Sequence, residues 1–146
     1  IDDDGYQDLY VVNHGANKLF VNGGSGTFTD ESSAAGVAEK GNGIGVAFGD
    51  LDNDGDQDFF HAIWAGADKM FKNDGVGVFT DVSSAAGIGD EGCYGVTLGD
   101  VDADGDVDLY VNIKSSANRL YINGGSGTFA DGASAAGVAG DLYSTL

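Results

Sequence analysis

The sequence has very little positive charge. Six Lys and Arg residues stand against 24 Asp and Glu residues in 146, which gives a formal net charge of −18. A surface this acidic repels nucleic-acid backbones and anionic membranes, so neither is expected as a partner. Long apolar runs are also missing, which argues against insertion into a membrane. A single cysteine, Cys93, excludes an internal disulfide framework and leaves bound metal as the available cross-link.

One acidic segment of nine residues occurs twice, and its tail occurs a third time. The complete copies are residues 50–58 and 100–108, and residues 1–8 match them from the second position onward. In both complete copies Asp occupies every odd position and Gly the sixth, whereas the residues between them differ. Alternating carboxylates around a sharp glycine turn are typical of Ca²⁺-binding loops. The residues that repeat are the possible ligands, so the pattern predicts a calcium site in each loop.

Each loop is predicted to hold one Ca²⁺, up to three in the chain, through side chains at positions 1, 3, 5 and 9 and the backbone carbonyl at position 7. The candidate ligands are Asp50, Asp52, Asp54, Asp56 and Asp58 in the second loop, and Asp100, Asp102, Asp104, Asp106 and Asp108 in the third. The first loop offers Asp2, Asp4, Tyr6 and Asp8 at the matching positions. Binding there depends on what precedes Ile1, and the phase of the repeats leads us to expect it.

The loops differ from an EF-hand. Its twelfth position carries a bidentate Glu, whereas His61 and Val111 stand there in this chain. The residues after each loop, 59–63 and 109–113, are mostly aromatic, β-branched or otherwise apolar, a composition that favours strands over an exiting helix. We therefore expect each loop to join two strands of a hairpin.

The whole chain repeats with a period of 50 or 51 residues. The units are residues 1–48, 49–98 and 99–146, forming one continuous array. Four short strands in about 50 residues match one propeller blade, and a glycine after each Ser-Ala-Ala or Ala-Ala segment predicts one helical turn. The predicted fold is all-β, with three tandem four-stranded blade-like repeats whose recurring aromatics pack between sheets. Three units are too few to close a ring, since propellers have four to eight blades.

The motifs of each unit resemble a known family. An acidic loop, a following strand such as residues 17–22, the turn over residues 22–30 and the closing Ala-Ala-Gly of residues 34–36 look like FG-GAP and VCBS repeats. These repeats are the blades of integrin-α-type propellers, and the likeness is greatest to the bacterial branch associated with ASPIC/UnbV domains. The resemblance covers essentially the whole chain and implies Ca²⁺ in each loop, with a scaffolding role rather than catalysis.

A structural, non-enzymatic function is therefore predicted, in surface adhesion or matrix. Millimolar Ca²⁺ outside cells can fill loops of the weaker extracellular class, so we expect a secreted or cell-surface protein. One alternative is a lectin- or receptor-like propeller fragment in which Trp64 contacts carbohydrate or a surface protein. A calcium-dependent hydrolase is the least favoured reading, because the acids recur in every unit whereas an active site breaks such symmetry.

The two ends of the sequence are in phase with the repeat. Ile1 corresponds to Leu51 and Val101, and Leu146 falls shortly before the next such position. The partners expected from this are further repeats of the same chain, or copies of the chain following one another head to tail. Head-to-tail contacts give a filament when they do not close and a ring when they do.

Overall fold

The computed structural model describes residues 1–89 and 92–140, and these residues are folded mainly as antiparallel strands. They form three sheets, here called blades 1, 2 and 3, and in each blade consecutive strands pair. The strands are β1 (Leu9–Val11), β2 (Lys18–Asn22) and β3 (Phe28–Asp30) in blade 1; β4 (Gly43–Gly49), β5 (Asp58–Ile63), β6 (Lys69–Asn73) and β7 (Phe79–Asp81) in blade 2; and β8 (Cys93–Gly99), β9 (Asp108–Ile113), β10 (Arg119–Asn123) and β11 (Phe129–Asp131) in blade 3. The predicted all-β class with blade-like repeats is confirmed, and none of these sheets closes into a barrel.

Blade 1 differs from the four-stranded expectation. It has three strands, whereas blades 2 and 3 have four each. The additional strands, β4 and β8, precede the acidic loop of their blades. The edge of β1 opposite β2 is therefore unpaired among the described residues.

Two apolar cores lie between the blades, because side chains of β5 alternate between its two faces. Phe59 packs with Leu19 and Val37 of blade 1, and the neighbouring Phe60 packs with Leu109 of blade 3. Phe59 and Phe60 are fully buried. Blade 2 thus supplies one face to each core, which is how stacked repeats bury surface that one sheet alone would expose.

A short helix follows the last strand of blades 2 and 3. These helices are α1 (Ser83–Ala86) and α2 (Ala133–Ala136). Each ends at a glycine in the left-handed region, Gly87 with φ 82° and Gly137 with φ 74°, which residues with a Cβ rarely adopt. The predicted helical turn stopped by glycine is confirmed there, while residues 32–36 of blade 1 form hydrogen-bonded turns. Among the described residues, no helix is long and apolar enough to cross a membrane.

The acidic segments occupy the same place in every blade. We call residues 1–8 loop 1, residues 50–58 loop 2 and residues 100–108 loop 3. Loop 2 joins β4 to β5, loop 3 joins β8 to β9, and loop 1 leads into β1. The expected hairpin connection is confirmed for loops 2 and 3. All three loops precede the second strand position of their blade, which places the candidate ligands at one end of the stacked sheets.

Candidate metal centre

Loops 2 and 3 curl around their first aspartate. The backbone N–H of Gly55 donates to Asp50 Oδ2 at 3.1 Å, and that of Gly105 donates to Asp100 Oδ2 at the same distance. The fourth position of each loop takes the left-handed conformation, with φ 62° at both Asn53 and Ala103. This backbone path turns the carboxylates inward instead of leaving them spread along a strand.

Three carboxylates converge in each of these two loops. In loop 2 they belong to Asp50, Asp52 and Asp54, and in loop 3 to Asp100, Asp102 and Asp108; within each group the oxygens lie within 4.8 Å of one another. Two oxygens on opposite sides of one Ca²⁺ are about 5 Å apart, because each Ca–O bond is about 2.4 Å long. The spacing therefore fits a shared cation, which would also relieve the repulsion between these like charges.

A carboxylate oxygen without a partner in loop 2 points to the same conclusion. Asp52 Oδ1 is buried and accepts no hydrogen bond from the residues that the structure describes. A buried carboxylate oxygen without a partner is costly unless a cation or water satisfies it. Hard oxygen donors of this kind suit Ca²⁺, so the residues present fit that ion, and Asp50, Asp52 and Asp54 would hold it.

The aspartate at the ninth position also braces the loop. Asp58 is fully buried, and its two oxygens accept the N–H groups of Leu51 at 3.0 Å and Asn73 at 2.8 Å. Burial raises the pKa of Asp58 to about 6, and these two N–H donors oppose that rise. The side chain thus ties the start of loop 2 to the end of β6.

The same brace recurs in the other blades. Asp108 accepts the N–H groups of Val101 and Asn123, both at 2.8 Å. In loop 1 Asp8 accepts the N–H of Asn22 at 2.9 Å. Each carboxylate oxygen keeps a second lone pair after accepting one N–H, so bracing and metal binding are compatible.

The remaining predicted ligands lie around these groups. In loop 2 Asp58 lies outside the converging group, and in loop 3 Asp104 does. The seventh-position side chains of Asp56 and Asp106 cover a glycine turn of their own blade, where an added Cβ would lie 2.6 Å from a carboxylate oxygen. In loop 1 Tyr6 N–H donates to Asp4 at 2.9 Å and Asp4 N–H to Asp2 at 3.4 Å. The assignment of all these residues as ligands stays a prediction.

Loop 2 contains a cation from its own chain. Lys72 on β6 pairs with Asp52 and also lies 2.9 Å from Asp54 Oδ2. Lys72 lowers the pKa of Asp54, whereas in loop 3 loss of hydration and the charge of Asp104 raise the pKa of Asp102. The residue of blade 3 at the position of Lys72 is the uncharged Ile122. The two loops thus share a ligand pattern but differ electrostatically.

Asparagines connect each loop to the next blade. Asn123 of blade 3 donates through Nδ2 to Leu51 O of loop 2 at 2.9 Å and to Val107 O of loop 3 at 3.0 Å. Asn73 of blade 2 likewise donates to Ile1 O of loop 1 at 2.9 Å. Because the backbone N–H of each asparagine also bonds the bracing aspartate of its own blade, adjacent loops are linked through one residue.

A second link joins loops 2 and 3 directly. Asn53 Nδ2 donates to Asp106 Oδ1 at 2.5 Å and to Gly125 O at 3.3 Å. The matching residue in loop 1 is Asp3, whose charge contributes to raising the pKa of Asp56, after loss of hydration and the charge of Asp54. The fourth loop position, which links loops 2 and 3 through Asn53, therefore places the acids Asp3 and Asp56 near each other at loops 1 and 2.

Sequence reasoning missed these supporting residues. Asn73 and Asn123 recur at the same repeat position, so their periodicity was visible, but their partners belong to other blades. Lys72 was visible only as a charged residue where the other units have Val21 and Ile122. A residue that departs from the repeat beside a predicted site is the signal that could have identified Lys72.

Stacked four-stranded antiparallel sheets with an acidic loop before the second strand define a β-propeller-type repeat. The chain belongs to the FG-GAP-like repeat family, whose family model matches residues 1–61 and 62–111. This confirms the resemblance to FG-GAP repeats, while the assignment to the ASPIC/UnbV-associated branch stays a prediction. The family is one of structural and binding repeats and is not an enzyme family.

The chain is also similar to cartilage acidic protein 1 from vertebrates. It is 38% identical over 66 residues to the Mus musculus protein and 39% identical over 66 residues to the Xenopus tropicalis protein. The Homo sapiens protein is 38% identical over 66 residues. Each match covers 44% of this chain and 10% of the relative, so the chain spans only a small part of these relatives.

Proposed function

We propose that this chain is a calcium-binding structural repeat segment that works outside the cell, where Ca²⁺ stabilises the loops and the joints between blades. The observation that carries the proposal is the convergence of three carboxylates at corresponding loops of blades 2 and 3. The buried, unpartnered Asp52 Oδ1 supports it. An extracellular setting supplies the Ca²⁺ concentration that such loops need.

Thermal unfolding in millimolar Ca²⁺, in millimolar Mg²⁺ and in a chelator tests this proposal. Ligand bound to the folded state alone stabilises it, so Ca²⁺ should raise the melting temperature well above the value in chelator. Mg²⁺ should do less, because it requires strict octahedral geometry and gives up its water reluctantly. Equal melting temperatures in Ca²⁺ and chelator would refute the proposal.

The proposed partners are further blades of the same kind, in the same chain or in another copy. On β1 the side chains of Leu9 and Val11 are 50% and 41% exposed, whereas their counterparts in blades 2 and 3 are buried. An unpaired strand edge with exposed apolar side chains is a template for another strand. Electron microscopy in millimolar Ca²⁺ tests assembly: fibres with a three-blade repeat support head-to-tail packing, and monomers count against it.

A lectin- or receptor-like binding role is the second candidate. Trp64 follows β5 at the end away from loop 2, and its ring contacts Tyr94 at a centroid distance of 5.2 Å. Lys114 Nζ lies 4.0 Å from the Trp64 ring centroid, so one aromatic face is already in contact with a cation of the protein. Loss of glycan or partner binding in a Trp64→Ala variant with intact assembly would favour this candidate.

A further inference from the structure

Lys72 is placed to compete with a metal ion. Its ammonium pairs with Asp52 and lies 2.9 Å from Asp54 Oδ2, and both aspartates belong to the converging group of loop 2. Lys72 therefore pairs with two of the three carboxylates that a cation in loop 2 would use. Asp52 Oδ1 remains unpartnered among the described residues, so the ammonium satisfies the group only in part.

Among the residues that the structure describes, none places such an internal cation in loop 3. Val21 in blade 1 and Ile122 in blade 3 occupy the repeat position of Lys72. Ile122 and Lys72 share one strand register, since Lys72 lies opposite Thr80 and Ile122 opposite Ala130. The same site on the sheet thus carries a charge beside loop 2 and an aliphatic side chain beside loop 3.

We propose that Lys72 is a built-in counter-ion of loop 2 that competes with Ca²⁺ for Asp52 and Asp54, so that loop 2 binds Ca²⁺ more weakly than loop 3. This inference rests on the proposed calcium function. The Lys72 side chain is 41% exposed, which leaves the ammonium a route into solvent when a divalent ion takes its place. A residual positive charge beside a bound Ca²⁺ lowers affinity even if the lysine moves only part of the way.

The consequence is a graded response to calcium. At low Ca²⁺, Lys72 neutralises part of loop 2 and keeps blade 2 folded, whereas loop 3 retains uncompensated charge. As Ca²⁺ rises, loop 3 fills first and loop 2 second. Lys72 is therefore a residue that sets the affinity of its loop rather than a metal ligand, because an ammonium has no lone pair to donate.

Calcium titration of the full chain by competition with a fluorescent indicator tests this assignment. Lys72→Met removes the charge but keeps a long aliphatic side chain, and Lys72→Arg keeps the charge. Lys72→Met loses two ion pairs of a partly exposed ammonium, so affinity at the weaker site should rise roughly two- to thirtyfold. Ile122→Lys should weaken the tighter site by a similar factor, and Lys72→Arg should stay close to the wild-type chain.

The matched control is Lys18→Met. Lys18 pairs with Asp30 in blade 1, away from the acidic loops, so this variant changes net charge equally without touching a site. In chelator, Lys72→Met should melt at a lower temperature than the wild-type chain, and saturating Ca²⁺ should remove the difference. A lysine with only a structural role would lower both melting temperatures alike.

Two results would refute the inference, and only the second would also refute the proposed calcium function. If the wild-type chain binds Ca²⁺ but Lys72→Met binds with unchanged or lower affinity, the competing role of Lys72 is refuted while the calcium function stands. If neither the wild-type chain nor any variant binds Ca²⁺, the inference fails together with the proposed function.

Discussion

Loops 2 and 3 carry the same aspartates at the same positions, yet the structure surrounds them differently. In loop 2, Lys72 pairs with two of the aspartates, and Leu51 at the second position is buried. In loop 3, Ile122 stands at the position of Lys72, and Val101 at the second position is exposed. Loop 2 is also linked to blade 3 through Asn123 and Asn53. A repeated motif therefore supplies the same candidate ligands in each copy, while neighbouring residues give each copy a different electrostatic environment.

The largest expected effect tests what the loops share. Asp58→Ala removes the acceptor of two backbone N–H groups in the protein interior, and Asp108→Ala removes the corresponding acceptor in blade 3. Each orphaned donor costs about 1–3 kcal/mol, so either variant should lose about 4 kcal/mol of unfolding free energy in chelator. Urea unfolding measures this.

Asp56→Ala is the control for that pair, because the Asp56 side chain covers a surface turn and is not a brace. A loss of stability in Asp56→Ala as large as that in Asp58→Ala would show that general loss of acidic charge, not the brace, is responsible.

The next effect concerns the joint between blades. Asn123→Ala leaves the carbonyls of Leu51 and Val107 without their side-chain donor and should cost about 2 kcal/mol of unfolding free energy. Asn22→Ala is the matched control, since Asn22 Nδ2 donates to Gln7 O of its own blade at 3.1 Å. The Asn123 variant should also weaken Ca²⁺ binding in loop 2, which calorimetry can record.

Similar losses of stability for Asn123→Ala and Asn22→Ala would contradict the claim that the asparagines join neighbouring loops.

A third prediction concerns pH and a residue that distinguishes blade 2 from blade 3. His61 is buried, its ring nitrogens have no partner among the described residues, and Val111 is its counterpart. Burial lowers the pKa of His61; the charge of Glu39 opposes this lowering, and the charge of Lys69 adds to it. The unfolded chain takes up a proton below about pH 6.5 more readily than the folded one, so stability falls as pH decreases through that value.

The His61→Val variant should lose less stability than the wild-type chain between pH 7.5 and pH 5, measured by thermal unfolding in saturating Ca²⁺. The aspartates titrate in both proteins, so the difference between the two curves of stability against pH gives the contribution of His61. Parallel curves would contradict the prediction.

The smallest expected effect lies in the backbone of loop 3. Ala103 adopts a left-handed conformation that costs an L-residue roughly 1–2 kcal/mol. Ala103→Gly relieves this strain but makes the unfolded chain more flexible, for a net gain of about 0.5 kcal/mol in unfolding free energy. Asn53→Gly should instead destabilise the protein, because it also removes the hydrogen bond to Asp106. Equal changes in the two variants would count against the Asn53 link.

Much of the fold could be predicted from the sequence, because each strand and turn is indicated by up to three copies of the repeat. The hairpins around residues 50–58 and 100–108 follow from acidic loops set between apolar strand segments, and the closing helical turns follow from glycines 87 and 137. Blade 1, with three strands, differs from the four-stranded repeat that the sequence predicts.

The candidate site was predictable in composition but not in detail. The aspartate positions predict the candidate ligands, but spacing alone does not reveal that Asp58 and Asp108 each accept two backbone N–H groups. Nor does it show that Asp108 joins a converging group of carboxylates whereas Asp58 does not. Nor does it show that Lys72 of one strand reaches Asp52 of the loop. Such contacts depend on strand register and on the packing of adjacent blades, which single-repeat patterns do not encode.

Calorimetric titration of the chain with Ca²⁺, beside a variant carrying Asp52→Asn and Asp102→Asn, tests the central claim most directly. Asparagine keeps the size of each side chain but removes one negative charge from each converging group. We predict Ca²⁺ binding at loops 2 and 3 of the wild-type chain and a loss of both binding events in the variant. Absence of binding in the wild-type chain, or unchanged binding in the variant, would contradict the account.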